Sequence, residues 1–312
     1  RFDDLLTYSQ QMPFDMVHLS TPGPMCLLGL FAARQRGLPV CGTYHTDFPR
    51  YARALTGDAS FEEYAWRFMR WFYGQLDRVA APTESVRREL IAQGLDADRI
   101  DVVGRGVDTN RFHPRFRDPS WRATWGGGRS LVLLYVGRLS REKNLDVLLQ
   151  AFLRLTTRRP DLSLVFVGDG PHRAALEKMA SGAPVRFTGS YTGADLTRAY
   201  ASSDLFVFPS VTDTFGRVVL EAQASGLPVV VSDEGGPKDA MIDGQTGVVV
   251  PNINAEHLAR AIDTTTNDPA RMVRLAHNAR RHASGLSLEA SFDAFWNLHP
   301  FSCRAPKGDL AS

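Results

Sequence analysis

The sequence predicts an α/β protein built from two doubly wound parallel sheets. Short apolar runs typical of buried strands alternate with helical patterns along most of the chain. Such alternation indicates parallel strands joined by crossover helices. The length of 312 residues suits about two domains. A polar stretch ending in proline, residues 107–114, separates two sets of alternating elements.

The first set of elements contains four predicted strands with helices between them. Gly37 and Gly94 close two of these helices, because glycine readily takes the left-handed conformation that ends a helix. The four strands are DMVHLS (15–20), LPVCGTYH (38–45), RVAAPT (78–83) and IDVVGRG (100–106).

The helix before the third strand, FEEYAWRFMRWFYGQL (61–76), is strongly aromatic and allows two interpretations. Trp66 and Tyr73 lie on a shoulder beside several arginines, which suits the surface of an anionic bilayer. A buried helix with a solvated arginine edge fits equally well. In either case the helical period predicts that one stripe faces the core: Phe61, Ala65, Phe68, Phe72 and Leu76.

The second set contains six predicted strands, enough for a complete sheet of the nucleotide-binding type. Helices are predicted over 254–266, 269–284 and 288–298, and the tail 300–312 is expected to be disordered. The strands are LVLLYV (131–136), LSLVFV (162–167), PVRFTG (184–189), DLFVFP (204–209), LPVVVS (227–232) and GVVVP (247–251).

Composition is that of an ordinary globular chain, with 44% apolar and 22% charged residues. A net charge of +2 gives no indication of a nucleic-acid partner. Cys26, Cys41 and Cys303 are scattered and form neither a disulfide framework nor a zinc-binding spacing. We therefore expect a reducing, cytoplasmic environment. No apolar run approaches the length of a membrane span, and no signal peptide is recognisable.

The segment SVTDTFGRVVLEAQASGLPVVVSDEGGPKD (210–239) carries the densest group of functional features. A helix is predicted from about Thr214, with Asp213 just before it and Glu221 eight residues later. On a regular helix these carboxylates lie about 80° apart, near enough to meet one ligand. An ordinary βαβ unit with two solvated acids is the alternative.

The same segment offers backbone groups as well as side chains. The amides of Phe215 and Gly216 are predicted at a helix N-terminus, which favours a phosphate. Gly235, Gly236 and Asp239 follow the next strand and are expected to shape the loop beside the site.

A second candidate group follows the strand LVLLYV, where the chain continues as GRLSREKN. Gly137 ends the strand, and Arg138 and Lys143 come soon after it. Ligands bind parallel sheets at such carboxyl ends, so both cations can reach one diphosphate. Fixed cations stabilise the charge that a leaving diphosphate gains, without a metal. A solvated basic turn is the alternative, and Arg141 is expected to be no more than that.

Weaker candidates end other strands. Gly168 and Gly170 are expected to form a tight turn that lines the nucleotide, and the backbone of 186–189 is a candidate for contact with the base. His45, after the second strand, is expected to face the ligand cleft, although a lone histidine there is more often packed or capping. Asp47 is an alternative base, and His18 is interpreted as structural.

Together these segments resemble the retaining glycosyltransferases of group 1, also called family 4. Their donor pattern is an acid, seven residues and a glutamate, with Phe-Gly after the acid; Asp213 stands where most members have glutamate. The chain is similar to the bacterial branch of GDP-mannose-dependent α-mannosyltransferases and of sulfoquinovosyl and phosphatidylinositol mannosyl transferases. The resemblance covers nearly the whole chain and includes YHTDFPRYA, GRGVDTNRFHP, GRLSREKN, VGDGP and SLEASFDAFW.

The resemblance implies the GT-B fold, in which two Rossmann-like domains face a cleft. It implies an acceptor-side domain over 1–112, a nucleotide-sugar domain over 113–285, and a closing helix within 286–299 that returns to the first domain. The implied reaction moves a hexose, with mannose favoured, from a GDP- or UDP-sugar to a hydroxyl acceptor. A lipid at the inner membrane face is one candidate acceptor. No metal and no cofactor are implied.

The resemblance also implies residue roles. Arg138 and Lys143 hold the donor diphosphate. Asp213 holds the sugar hydroxyls, Glu221 holds the ribose hydroxyls, and His45 lies beside the donor sugar. Retention then needs no protein nucleophile, because the acceptor attacks from the leaving-group face and the departing phosphate acts as the base.

The family's opening strands and glycine-rich loop have no match here. We therefore expect an incomplete N-terminal domain and a chain that binds nucleotide weakly and transfers no sugar. A nucleotide-sugar protein that only binds is one alternative, and another GT-B enzyme, such as an epimerase or a phosphorylase, is a second. A phosphorylase needs a pyridoxal lysine, and Lys143, Lys178 and Lys238 show no such motif.

Overall fold

The computed structural model describes residues 7, 11, 14–126 and 131–299. The chain forms two compact units. Unit 1 runs as far as Gly104 and includes the chain again from Glu289, whereas unit 2 is Arg105–Leu288. The predicted disordered tail, 300–312, lies outside the described residues. Among those residues, no helix combines the length and apolar character that crossing a bilayer requires.

Unit 1 contains a four-stranded parallel sheet in the order β1-β2-β3-β4. All four predicted strands are confirmed, and the two central ones, β2 and β3, are largely buried. The strands are β1 Val17–Leu19, β2 Val40–Thr43, β3 Arg78–Ala81 and β4 Ile100–Val102. The helices are α1 Pro24–Gln35, α2 Phe48–Thr56, α3 Ala59–Gly74 and α4 Glu84–Ala92.

The core stripe predicted for the aromatic helix α3 is confirmed in part, since Phe72 and Leu76 are fully buried. Phe61 and Phe68 are exposed, so their predicted place in the core is wrong. Trp66 and Tyr73, predicted on the shoulder, are buried. Their rings pack against Tyr44, at centroid distances of 6.5 and 5.5 Å. Since both faces of α3 are apolar, periodicity alone could not choose between them.

The closing helix α12, Leu288–Asn297, belongs to unit 1 from Glu289 onward and packs within it. Ser291 Oγ donates a hydrogen bond to the Gly104 carbonyl at 2.7 Å. The Phe295 ring lies 4.9 Å from the ring of His18. His299, just beyond the helix, makes a 3.0 Å hydrogen bond to His18 Nδ1 through its Nε2.

His18 thereby links three elements of unit 1. Its Nε2 makes a 2.9 Å hydrogen bond with Thr43 Oγ1 on β2, while Nδ1 meets His299. Burial, and then the neighbouring His299 and His45, lower the pKa of His18 to about 4. His18 therefore acts as a half-buried link in this network and is neutral at pH 7.

Unit 2 contains a six-stranded parallel sheet in the order β10-β9-β8-β5-β6-β7. The six predicted strands are confirmed. From β5 the chain continues to β6 and β7 on one side, and to β8, β9 and β10 on the other. The strands are β5 Leu131–Val136, β6 Leu162–Val167, β7 Val185–Phe187, β8 Leu205–Phe208, β9 Val229–Ser232 and β10 Gly247–Val250.

The helices of unit 2 cover this sheet, whose central strands are fully buried. The reversal of strand order between β5 and β8 is the point at which ligands bind open α/β sheets. The helices are α5 Pro119–Gly126, α6 Leu145–Thr156, α7 Arg173–Met179, α8 Gly193–Ala201, α9 Arg217–Ala224, α10 Ala255–Thr266 and α11 Pro269–Ser284.

We expect the His18 link to make unit 1 less stable in mild acid. The folded pKa of about 4 lies below the ordinary value of 6.5, so the unfolded chain binds more protons between these values. The contribution of His18 to the free energy of unfolding is therefore fully present above about pH 6.5 and is lost as the pH falls towards 4. Thermal melts across this window should show a falling melting temperature in the wild type and a flatter profile in His18→Asn. The exposed His277→Asn serves as the control, and an unchanged slope in His18→Asn would contradict the assignment.

Candidate functional site

The candidate residues of unit 2 gather at the carboxyl ends of three strands. Gly137 and Arg138 follow β5, Gly168 and Gly170 follow β6, and Asp213 lies in the loop after β8. Because β5 and β8 flank the reversal of strand order, these loops border the crevice in which such sheets hold ligands.

The loops after β5 and β6 run against each other with no room for side chains. A Cβ on Gly168 would lie 1.9 Å from the Gly137 carbonyl oxygen, and one on Gly170 would lie 2.3 Å from that of Leu139. The Leu139 amide donates to the Asp169 carbonyl at 2.9 Å. The glycines therefore serve a close backbone approach, which fixes the position of Arg138 between them.

A pocket of about 300 Å³ opens beside these loops. Its lining includes Gly137, Arg138, Gly168, Tyr191 and Leu196. The Tyr191 ring stacks on Trp121 with a centroid distance of 5.4 Å. A lining that combines an aromatic ring, an arginine and strand-end backbone suits a planar ring that carries a negative group.

Tyr191 was not singled out in the sequence. The sequence feature that could have identified it is its position just after β7, at the same edge of the sheet as the other candidate residues. The predicted backbone contact within 186–189 is partly occupied by the protein, because the Gly189 carbonyl accepts a 2.9 Å hydrogen bond from the Gly168 amide.

Lys143 and Asp213 meet across the crevice. Lys143 ends a short turn before α6, and its side chain is only 11% exposed. Its Nζ donates to Asp213 Oδ2 at 2.8 Å. The structure thus brings together one cation and one acid that the sequence separates by 70 positions. A nearly buried ammonium keeps its charge through such a partner.

The helix that follows Asp213 begins later than predicted. α9 starts at Arg217, not near Thr214, so Asp213 and Glu221 do not lie on one regular helix. The angle of about 80° expected between them is therefore not applicable. Gly216, the N-cap of α9, has φ +77°, a left-handed conformation that interrupts any helix before it.

The loop before α9 is held by the glycines predicted to shape it. The Gly236 amide donates to the Asp213 carbonyl at 2.8 Å. A Cβ on Gly236 would lie 1.9 Å from the Thr214 carbonyl oxygen. The amides of Phe215 and Gly216 therefore belong to a packed loop that leads into α9 rather than to its first turn.

Glu221 is bound to a partner that sequence analysis missed. Its Oε2 accepts a 2.9 Å hydrogen bond from the hydroxyl of Tyr200, a fully buried residue of α8. Burial raises the pKa of the Glu221 carboxyl, and the Tyr200 hydrogen bond opposes that shift. The charges of Arg217 and Arg111 oppose it as well. The sequence feature that could have indicated this contact is a tyrosine in a helix whose other buried residues are small.

His45 belongs to unit 1. It follows β2, is half-buried, and makes a 3.3 Å hydrogen bond to Thr21 Oγ1 through its Nε2. Asp47, the alternative base, caps α2 by accepting from the Arg50 amide at 3.1 Å. Burial raises the pKa of Asp47 to about 6. Among the described residues, no three His, Cys, Asp or Glu side chains are grouped to hold a metal ion.

Two family models match the chain. Residues 121–282 match the model of the group 1 glycosyl transferases, and residues 3–111 match that of glycosyltransferase family 4. The family 4 match ends in the polar stretch 107–114, and the group 1 match begins within α5.

Curated relatives match both units. A GDP-mannose-dependent alpha-mannosyltransferase of Mycobacterium tuberculosis is 38% identical over 275 residues, which are 88% of this chain and 69% of that protein. The sulfoquinovosyl transferase SQD2 of Arabidopsis thaliana is 36% identical over 236 residues, 75% of this chain and 45% of that protein. The chain therefore spans about half to two thirds of the length of these relatives.

Solved structures share the fold. Anabaena Alr3699/HepE, in complex with UDP and glucose, superposes with a TM-score of 0.77 at 22% identity and covers 95% of this chain and 80% of its own. The sucrose-phosphate synthase of Thermosynechococcus elongatus gives a TM-score of 0.78 at 22% identity, with 95% of this chain and 76% of its own covered. The fold is the GT-B fold that these glycosyltransferases share, and the chain belongs to the group 1 family of glycosyl transferases.

Proposed function

We propose that the protein is a retaining glycosyltransferase that moves a hexose, with mannose favoured, from a nucleotide diphosphate donor to a hydroxyl acceptor. The observation that carries the proposal is the Lys143–Asp213 ion pair, which joins the segments that follow β5 and β8, where the strand order reverses. The GDP-mannose dependence named for several relatives supports the choice of sugar and base.

The donor diphosphate lies between Arg138 and Lys143 in this proposal. Arg138 is exposed at the mouth of the pocket, with no ion pair among the described residues. Lys143 is desolvated and already oriented by its bond to Asp213. Charge that develops on the leaving diphosphate then meets two fixed cations, which need no reorganisation during the reaction. This arrangement supports transfer without a metal.

The two carboxylates take up the hydroxyl groups of the donor. Asp213 uses Oδ2 for Lys143, and Oδ1 remains for a hydroxyl of the transferred sugar. Glu221 uses Oε2 for Tyr200, and Oε1 remains for the ribose. Each acid is thus anchored through one oxygen and can accept through the other. The base occupies the pocket side on which Tyr191 lies.

Retention follows without a protein nucleophile in this scheme. The acceptor hydroxyl attacks from the face that the diphosphate leaves, and a phosphate oxygen of the leaving group takes its proton. His45 shields and orients the sugar, as the family resemblance implies. A cytoplasmic location belongs to the same proposal, and the described cysteines, Cys26 and Cys41, are both free thiols.

Nucleotide binding should stabilise the protein without a divalent metal. GDP at about a hundredfold over its Kd adds about 2.7 kcal/mol to the free energy of unfolding. We expect this as a rise in melting temperature that is the same in buffer and in excess chelator. Parallel melts with UDP and ADP rank the bases. Loss of the stabilisation in chelator would show that a metal, rather than Arg138 and Lys143, neutralises the diphosphate.

Removing the buried cation should abolish most activity. Assayed in a form of the protein extended by the family's opening strands, Lys143→Ala is expected to lower kcat/KM with GDP-mannose by about a hundredfold or more, because one fixed cation at the leaving group is lost. Asp213→Glu, which restores the family's usual acid, should be tolerated. Arg141→Ala, an exposed residue of the same turn, is the matched control and should change kcat/KM little. Equal activity in Lys143→Ala and Arg141→Ala would contradict the donor site.

A further inference from the structure

The outer face of α3 carries a row of large aromatic side chains exposed to solvent. Phe61, Tyr64, Phe68 and Trp71 are 52%, 65%, 40% and 52% exposed. They are spaced three or four residues apart, which places them on one face of the helix. We call these four residues the aromatic row. The opposite face of α3 fills the core of unit 1, so burial within that core does not explain the row.

The row is an ordered surface. The rings of Phe68 and Trp71 stack at a centroid distance of 5.9 Å, and Phe68 also lies 6.4 Å from the buried Phe72. The neighbouring helix α2 ends in another exposed apolar residue, Leu55, just before the turn into α3. The two ring contacts fix the orientation of Phe68 and Trp71 on the surface of α3.

Arg67 places one cation within the row, while the acid Asp58 lies at the start of α3 as its N-cap. Arg67 lies among the row residues on the same exposed side of α3, and no ion pair is formed by it within the described part of the chain. The two acids of the helix are neutralised by arginines. Glu62 pairs with Arg53 at 3.0 Å and Glu63 with Arg70 at 2.9 Å.

The size of the row favours a bilayer over a protein partner. Aromatic side chains present about 150–250 Å² each, so the exposed fractions correspond to on the order of 400 Å² of aromatic surface. A stable protein interface buries roughly 800 Å² on each partner. A helix that lies at a membrane interface needs only a row of Trp, Tyr and Phe with basic residues beside it.

We propose that the aromatic row and Arg67 form the surface by which unit 1 lies on an anionic lipid bilayer. The aromatic rings enter the headgroup region, and Arg67 contacts lipid phosphates. Binding to the bilayer does not depend on the nucleotide site. A bilayer would also present an acceptor hydroxyl carried by a lipid, and that second step alone rests on the proposed transferase function.

The test is flotation of the full chain with vesicles in the absence of nucleotide. We expect binding to vesicles of phosphatidylglycerol and phosphatidylcholine, and about fivefold weaker binding to phosphatidylcholine alone, since one arginine near the surface contributes about 1 kcal/mol. The double variant Tyr64→Ser/Trp71→Ser should lose about tenfold or more in binding to the anionic vesicles. Arg67→Glu should weaken binding several-fold and reduce its dependence on salt. Unchanged melting temperatures show that the variants fold.

The chain offers a matched control on α12. Phe292 and Trp296 are 61% and 56% exposed and stack at 6.1 Å, but Glu289 and Asp293 lie on the same helix. Phe292→Ser/Trp296→Ser should leave vesicle binding unchanged. Vesicles of brominated lipid add a readout that needs no loss of binding. Trp71→Phe should remove much of the tryptophan quenching, whereas Trp296→Phe should not.

Three results would overturn the proposal. The wild-type chain and the double variant on α3 could bind anionic vesicles equally. The α12 control could lose as much binding as the α3 variant, which would indicate non-specific adsorption through any exposed apolar residue. The wild type could fail to bind vesicles and instead sediment as a dimer in analytical ultracentrifugation. If Tyr64→Ser/Trp71→Ser dissociated that dimer, the row would be assigned to contact with a second copy of the chain.

Discussion

The Lys143 ammonium is almost completely buried and lies 2.8 Å from a carboxylate oxygen of Asp213. The two residues follow β5 and β8, the strands between which the sheet of unit 2 reverses its order. A desolvated charge of this kind is stable only beside its partner. The loop that presents Asp213 is in turn fixed by the close packing of Gly236 on Thr214. The geometry of the site therefore rests on backbone contacts that only glycine permits.

The same arrangement indicates an anionic ligand. The single carboxylate of Asp213 neutralises Lys143, while Arg138 stands at the pocket mouth without an ion pair in the described part of the chain. An anion that reaches both cations gains from charge that the protein has already placed and partly desolvated. Tyr200 does for Glu221 what Lys143 does for Asp213: it holds one oxygen and leaves the other available. The site is preorganised by these paired contacts.

Sequence patterns predicted the strands well, because a buried parallel strand needs an uninterrupted apolar run, as in LVLLYV and LSLVFV. They failed where tertiary contacts decide. The start of α9 depends on the left-handed Gly216 and on packing against Gly236. The buried face of α3 depends on Tyr44, since both faces of that helix are apolar. The pairing of Tyr200 with Glu221 joins two helices and leaves no mark in local spacing.

The most direct test is a crystal structure of the protein with GDP. The account predicts the diphosphate between the Arg138 guanidinium and Lys143 Nζ, the ribose hydroxyls on Glu221 and the base on the side of the pocket where Tyr191 lies, with the Lys143–Asp213 contact retained. A diphosphate bound away from Lys143, or bound only through a metal ion, would contradict it.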